Sequence, residues 1–94
     1  MPKFEFCYDL HDARSNPDPY SKITEEIQRK YLVSLKILNT TFLIKTSDYL
    51  TTVNANLKAI LTKYSQHFEC FTTEVVANDG WLAPEKWEWI RKNF

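Results

Sequence analysis

Residues 33–45 read VSLKILNTTFLIK, and the fold turns on how this stretch is divided. Val33, Leu35 and Ile37 alternate with Ser34 and Lys36, a period of two that predicts a strand. Asn39 and Thr40 then turn the chain. Phe42 and Ile44 alternate with Thr41, Leu43 and Lys45 and predict a second strand, rich in β-branched and aromatic residues. The stretch therefore reads as a hairpin.

On the N-terminal side of the hairpin, Tyr20, Ile23, Ile27 and Tyr31 recur at helical spacing. Glu25 and Glu26 lie early in that helix and Arg29 and Lys30 late, an order that suits the helix dipole. Asp18 and Ser21 are its candidate caps. The loop HDARSNPDP precedes it, with two prolines that cannot continue a strand. Before the loop, Phe4, Phe6, Tyr8 and Leu10 alternate with Lys3, Glu5, Cys7 and Asp9, a half-buried strand.

On the C-terminal side, Ser47 and Asp48 are candidate caps for a second helix. Its apolar stripe is Leu50, Val53, Leu57, Ile60, Leu61 and Tyr64. A fourth strand is expected from Phe68 to Val76, then a turn at Asn78-Asp79-Gly80. A short helix starts at Pro84, with Trp87, Ile90, Arg91 and Phe94 on one face. The order strand, helix, strand, strand, helix, strand, helix predicts an α+β fold. It is a ferredoxin-like βαββαβ sandwich with a four-stranded antiparallel sheet and a short C-terminal helix.

The expected helix-facing residues are Phe4, Phe6, Tyr8, Val33, Leu35, Ile37, Phe42 and Ile44. Glu5, Cys7, Asp9, Lys36, Thr41, Leu43 and Lys45 are expected on the opposite, open face. A bare sheet face is buried under a terminal element or a partner. Trp81, Trp87 and Trp89 are the candidate cover, either within the chain or across a dimer.

The 94 residues suit one domain, residues 1–94, with 81–94 as a tryptophan-rich extension. Hydrophobic residues make up 44%, which favours a packed core over disorder. Twelve basic residues balance twelve acidic ones, so the total charge does not mark a nucleic-acid binder. No apolar run approaches membrane-spanning length, and no secretion-signal pattern opens the chain. Two cysteines, Cys7 and Cys70, are too few for a disulfide framework and read as small apolar residues on the first and fourth strands. These readings together predict a cytoplasmic protein with reduced thiols. A single glycine rules out phosphate-binding glycine loops and dinucleotide fingerprints.

Several segments resemble a known group. They are CYDLH closing the first strand, YSKITEEI, LNTTFLIKT across the hairpin, and EVVANDGWLAPEKWEWIRKNF at the end. They look like the small SinR-like proteins of the wider superfamily of the second CRISPR-associated protein, near the VapD-type ribonucleases. The resemblance implies a homodimer of ferredoxin-like sheets. It also implies that the carboxylate closing the first strand, Asp9 here, lies near the two-fold axis and binds a divalent metal for phosphodiester cleavage. Other members keep the fold without nuclease activity, as scaffolds or nucleic-acid clamps, and some relate to toxin–antitoxin modules. The CRISPR-associated members usually add a fifth strand, where this chain carries a tryptophan-rich helix.

Read as chemistry, Asp9 is the candidate catalytic and metal-binding carboxylate, and Asp12 a candidate second ligand for Mg²⁺ or Mn²⁺. The bland alternative for each is a loop carboxylate bonded to nearby backbone. His11 is a candidate acid or base, or a solvated loop histidine. Arg14, Lys36 and Lys45 are candidate phosphate contacts, or surface salt-bridge partners. Cys7, Cys70, His11 and His67 show neither CxxC nor HxxxH spacing, so a zinc site is not signalled. No resident cofactor is expected outside the nuclease reading.

Three functions follow. The leading one is a non-catalytic dimeric interaction protein, a nucleic-acid-module subunit or antitoxin-like regulator. Its partners would be RNA or DNA, or a protein such as a toxin or an integration subunit. The second is a metal-dependent endonuclease using Asp9 from two subunits. The third is a structural partner domain.

Overall fold

The computed structural model describes residues 1–11 and 19–94. The elements run β1 (Lys3–Leu10), α1 (Pro19–Lys30), β2 (Ser34–Leu38), β3 (Thr41–Lys45), α2 (Leu50–Thr62), β4 (Phe68–Glu74) and α3 (Pro84–Asn93). The four strands form one antiparallel sheet in the order β2-β3-β1-β4, compatible with a ferredoxin-like arrangement. No helix among the described residues is long and apolar enough to cross a membrane.

The alternation of β1 sorts its residues as its sequence predicts. Phe4, Phe6, Tyr8 and Leu10 enter a core with Ile23 and Ile27 of α1, Val53, Leu57 and Leu61 of α2, and Phe42 and Ile44 of β3. Each buried Phe or Ile contributes roughly 1.5–3 kcal/mol relative to exposure, so this layer holds the two helices to the sheet. Phe6, Tyr8 and Tyr20 stack in sequence, with ring centroids 5.9 and 6.1 Å apart. Polar bridges tie the layer at its edges. Lys63 Nζ donates to Glu26 at 2.7 Å, Tyr64 donates to the same carboxylate, and Thr72 donates to Asn54 at 2.7 Å.

β2 departs from the expected phase. Ser34, Leu35 and Lys36 face Ile44, Leu43 and Phe42, and the register then slips so that Leu38 faces Thr41. Cross-strand partners share a face, so Lys36 lies on the helix side with Phe42, while Leu35 and Ile37 lie on the opposite side with Leu43. There they form a second apolar cluster with Leu82, Trp87, Trp89, Ile90 and Phe94. Leu43, assigned to an open face, is thus buried beneath α3. Alternation separates Leu35 and Ile37 from Ser34 and Lys36 but does not say which layer the apolar side meets, and here α3 takes it.

Trp87 and Trp89 serve as an intramolecular cover. Trp81 does not, being 99% exposed in the link before α3. That link, residues 75–83, is irregular rather than a tight turn at 78–80, and β4 ends at Glu74 rather than Val76. Pro84 opens α3 as expected. The capping expectations at Ser21, Ser47 and Asp48 fail. Ser21 lies inside α1, and α2 starts after Tyr49 with no side-chain cap. Asp48 instead accepts a hydrogen bond from Tyr31 Oη at 3.1 Å, and Tyr31 Oη accepts one from Asn56 at 2.9 Å. Asp18 lies outside the described residues.

Candidate functional site

α3 packs on the β2–β3 half of its face, and the β1–β4 half lies beside it with its Asp9–Glu69 end uncovered. In register there, Asp9 faces Glu69, Cys7 faces Phe71 and Glu5 faces Thr73. All six alternate away from the helix-side core residues Phe6, Tyr8 and Phe68. Phe71 is 66% exposed, a large apolar ring in the middle of this surface. The FECFTTE segment carries the signal in its alternation, but Phe71 escapes notice because a strand phenylalanine reads first as core.

Asp9 stands where β1 ends. His11 follows it, and its backbone N–H donates to the His67 carbonyl at 2.8 Å, which extends the β1–β4 pairing. That bond sets the imidazole between two carboxylates. Nε2 lies 2.8 Å from Glu69 Oε1, and Nδ1 lies 3.9 Å from Asp9 Oδ2. Glu69 is the residue sequence reasoning missed. Its pairing with Asp9 joins two strands far apart in the chain, and only the β1–β4 register reveals it.

The other candidates separate. Lys45 pairs with Lys3 on the α3 side, while Lys36 lies on the helix side, so the two lysines do not share a surface. Asp12 and Arg14 lie outside the described residues. Cys7 and Cys70 do occupy neighbouring strands, but Cys7 faces the uncovered side and Cys70 packs against the helix-side core. Both thiols are free. Partial burial raises both above the ordinary thiol value, and the Glu5 carboxylate adds to the effect at Cys7.

Chemically, one chain presents a carboxylate–imidazole–carboxylate row beside an exposed aromatic ring. No group of three or more metal-ligating side chains is assembled among the described residues. Asp9 and Glu69 supply oxygen donors of the kind Mg²⁺ or Mn²⁺ takes. Comparison with protein-family models, with curated proteins and with solved structures returned no match.

Proposed function

We propose that this protein is a non-catalytic interaction domain that works as a homodimer joined along β4. The exposure of Phe71 on an edge strand carries this reading. The sheet has two edges. β2 is five residues long with a register slip, a common way of blunting an edge. β4 has seven residues paired to β1 without a shift, so it is the edge suited to adding another strand.

A second copy suits β4 because the strand is self-complementary. Antiparallel pairing centred on Phe71 sets the two Phe71 rings side by side. It also sets Glu69 against Thr73 of the partner copy, so no carboxylate meets its own image. The segment resemblance to SinR-like proteins also implies a homodimer, though one with Asp9 rather than Phe71 near the axis, and a nucleic-acid module or an antitoxin-like role as the wider setting. The separation of Lys36 from Lys45 favours protein contacts over nucleic acid on this sheet.

Light scattering of the purified chain tests the proposal. A dimer is expected for the wild type, and a folded monomer for Phe71→Asp. A wild-type monomer at high concentration overturns it.

A second reading rests on the Asp9–Glu69 pair. It needs a different two-fold arrangement from pairing along β4, one that brings the Asp9 carboxylates of the two copies together, where they would hold Mg²⁺ or Mn²⁺ for Lewis-acid activation of a phosphodiester. Metal-dependent cleavage of RNA or duplex DNA that disappears in Asp9→Ala would replace the interaction reading with a nuclease. An absence of such cleavage removes the nuclease reading.

A further inference from the structure

A groove of about 410 Å³ lies between the sheet, the link after β4 and α3, apart from the Asp9–Glu69 row. Leu43 and Ile37 from the sheet and Trp87 and Ile90 from α3 give it an apolar lining. Glu5, Glu74 and Asp79 are its acidic lining residues, and among the described residues no Lys, Arg or His lines it. In small-molecule sites an apolar lining holds the body of a ligand and a few polar groups orient it.

Glu5 gives the groove its polarity. It is half-buried between Leu43 and Thr73 on the neighbouring strands. No described side chain forms a hydrogen bond or ion pair with it. Its nearest basic neighbours along the sheet, Lys3 and Lys45, line no part of the groove, and the Lys3 ammonium lies 5.7 Å from the Phe94 ring centroid. Lys86 on α3 is also committed, to the Ile37 carbonyl at 2.7 Å. A carboxylate drawn partly out of water without a cation is costly, and a cationic ligand offsets that cost. Trp87 adds an aromatic face of the kind that attracts ammonium groups.

We propose that this groove binds a small organic cation, an ammonium group carried on a compact apolar body. The ammonium pairs with Glu5, and the apolar body lies against Trp87, Ile90 and Leu43. Anionic ligands are disfavoured by the same carboxylates.

The test is an NMR titration of the full chain with three isosteric probes: 2-phenylethylammonium, neutral 2-phenylethanol and anionic phenylacetate, with hexylammonium as an aliphatic cation. The expected result is saturable shifts at the Trp87 indole, Leu43 and Thr73 for the cations. Binding is expected about tenfold weaker for the alcohol, and absent for the anion. Glu5→Gln is expected to lower cation affinity about tenfold while leaving the alcohol unchanged. Asp79→Asn, in an exposed link, gives a smaller loss and serves as the variant least able to disturb the fold. Equal binding of cation and alcohol, shifts outside the groove, no cation binding at millimolar probe, or an unchanged affinity in folded Glu5→Gln each overturns the proposal.

Discussion

Lys86 of α3 donates through Nζ to the backbone carbonyl of Ile37, at 2.7 Å, where the β2 register slips. Ile37 has no partner residue on β3 at the slip, and the lysine satisfies its carbonyl. This bond and the buried Ile90 hold the terminal helix on the sheet. Ile90→Ala is expected to destabilise the protein by about 2–4 kcal/mol, because it removes a buried side chain from a small cluster. Lys86→Met is expected to cost about 1 kcal/mol. Denaturant titration measures both, and a red shift in emission of Trp87 and Trp89 reports release of α3. Unchanged stability in Ile90→Ala would mean that α3 does not dock.

Glu26 gives an acid-sensitive contact between the helices. Its hydrogen bonds from Lys63 and Tyr64, with the nearby positive charges, lower its pKa below the ordinary 4.5. A carboxylate lowered on folding stabilises the native state above its unfolded pKa, and that contribution is lost as pH falls through the folded value. Urea titrations stepped downward from neutrality should show wild-type stability falling more steeply than that of Glu26→Gln below about pH 4.5. Parallel slopes would rule out Glu26 as a contributor. The same bond raises Tyr64, whose contribution is present at neutral pH and is lost only above the ordinary tyrosine value.

Tyr31 joins the end of α1 to the start of α2. Its hydroxyl donates to Asp48 and accepts from Asn56, and burial raises its pKa, so it stays protonated through the neutral range. Tyr31→Phe keeps the ring in the core and leaves both partners short of a bond. A loss of about 1–2 kcal/mol by thermal or chemical denaturation is expected. Asp48→Ala in the Tyr31→Phe background should cost less than in the wild type, since the two side chains share one interaction.

The Asp9, His11 and Glu69 row is largely exposed, so it contributes little to stability. Asp9→Asn, His11→Gln and Glu69→Gln are each expected to change stability by less than about 1 kcal/mol. Any loss of dimerisation or of metal-dependent activity in these variants would then reflect the surface itself. A large loss of stability in Glu69→Gln would instead assign the row a structural role.

Element order was legible in the chain because helices and strands announce themselves by local period. Phe4, Phe6, Tyr8 and Leu10 alternate against polar neighbours, so the face of β1 could be read directly. Ile23, Ile27, Val53, Leu57 and Leu61 marked the buried sides of the helices in the same way. β2 alternates too, with Leu35 and Ile37 against Ser34 and Lys36, but its apolar side could meet either layer. Leu35 and Ile37 suit a contact with α1 and α2 as well as one with α3, and α3 takes them. Three features depended on long-range contact: the β1–β4 register that sets Glu69 beside Asp9, the slip in β2, and the seating of α3. Trp81, Trp87 and Trp89 were equivalent as residue types, yet Trp87 and Trp89 pack while Trp81 stands in water. By itself, then, the sequence determined the elements, their order and the helix-side core, since hydrophobic periodicity is a local property. The tertiary structure decided which surface stays uncovered, because that depends on residues brought together from opposite ends of the chain.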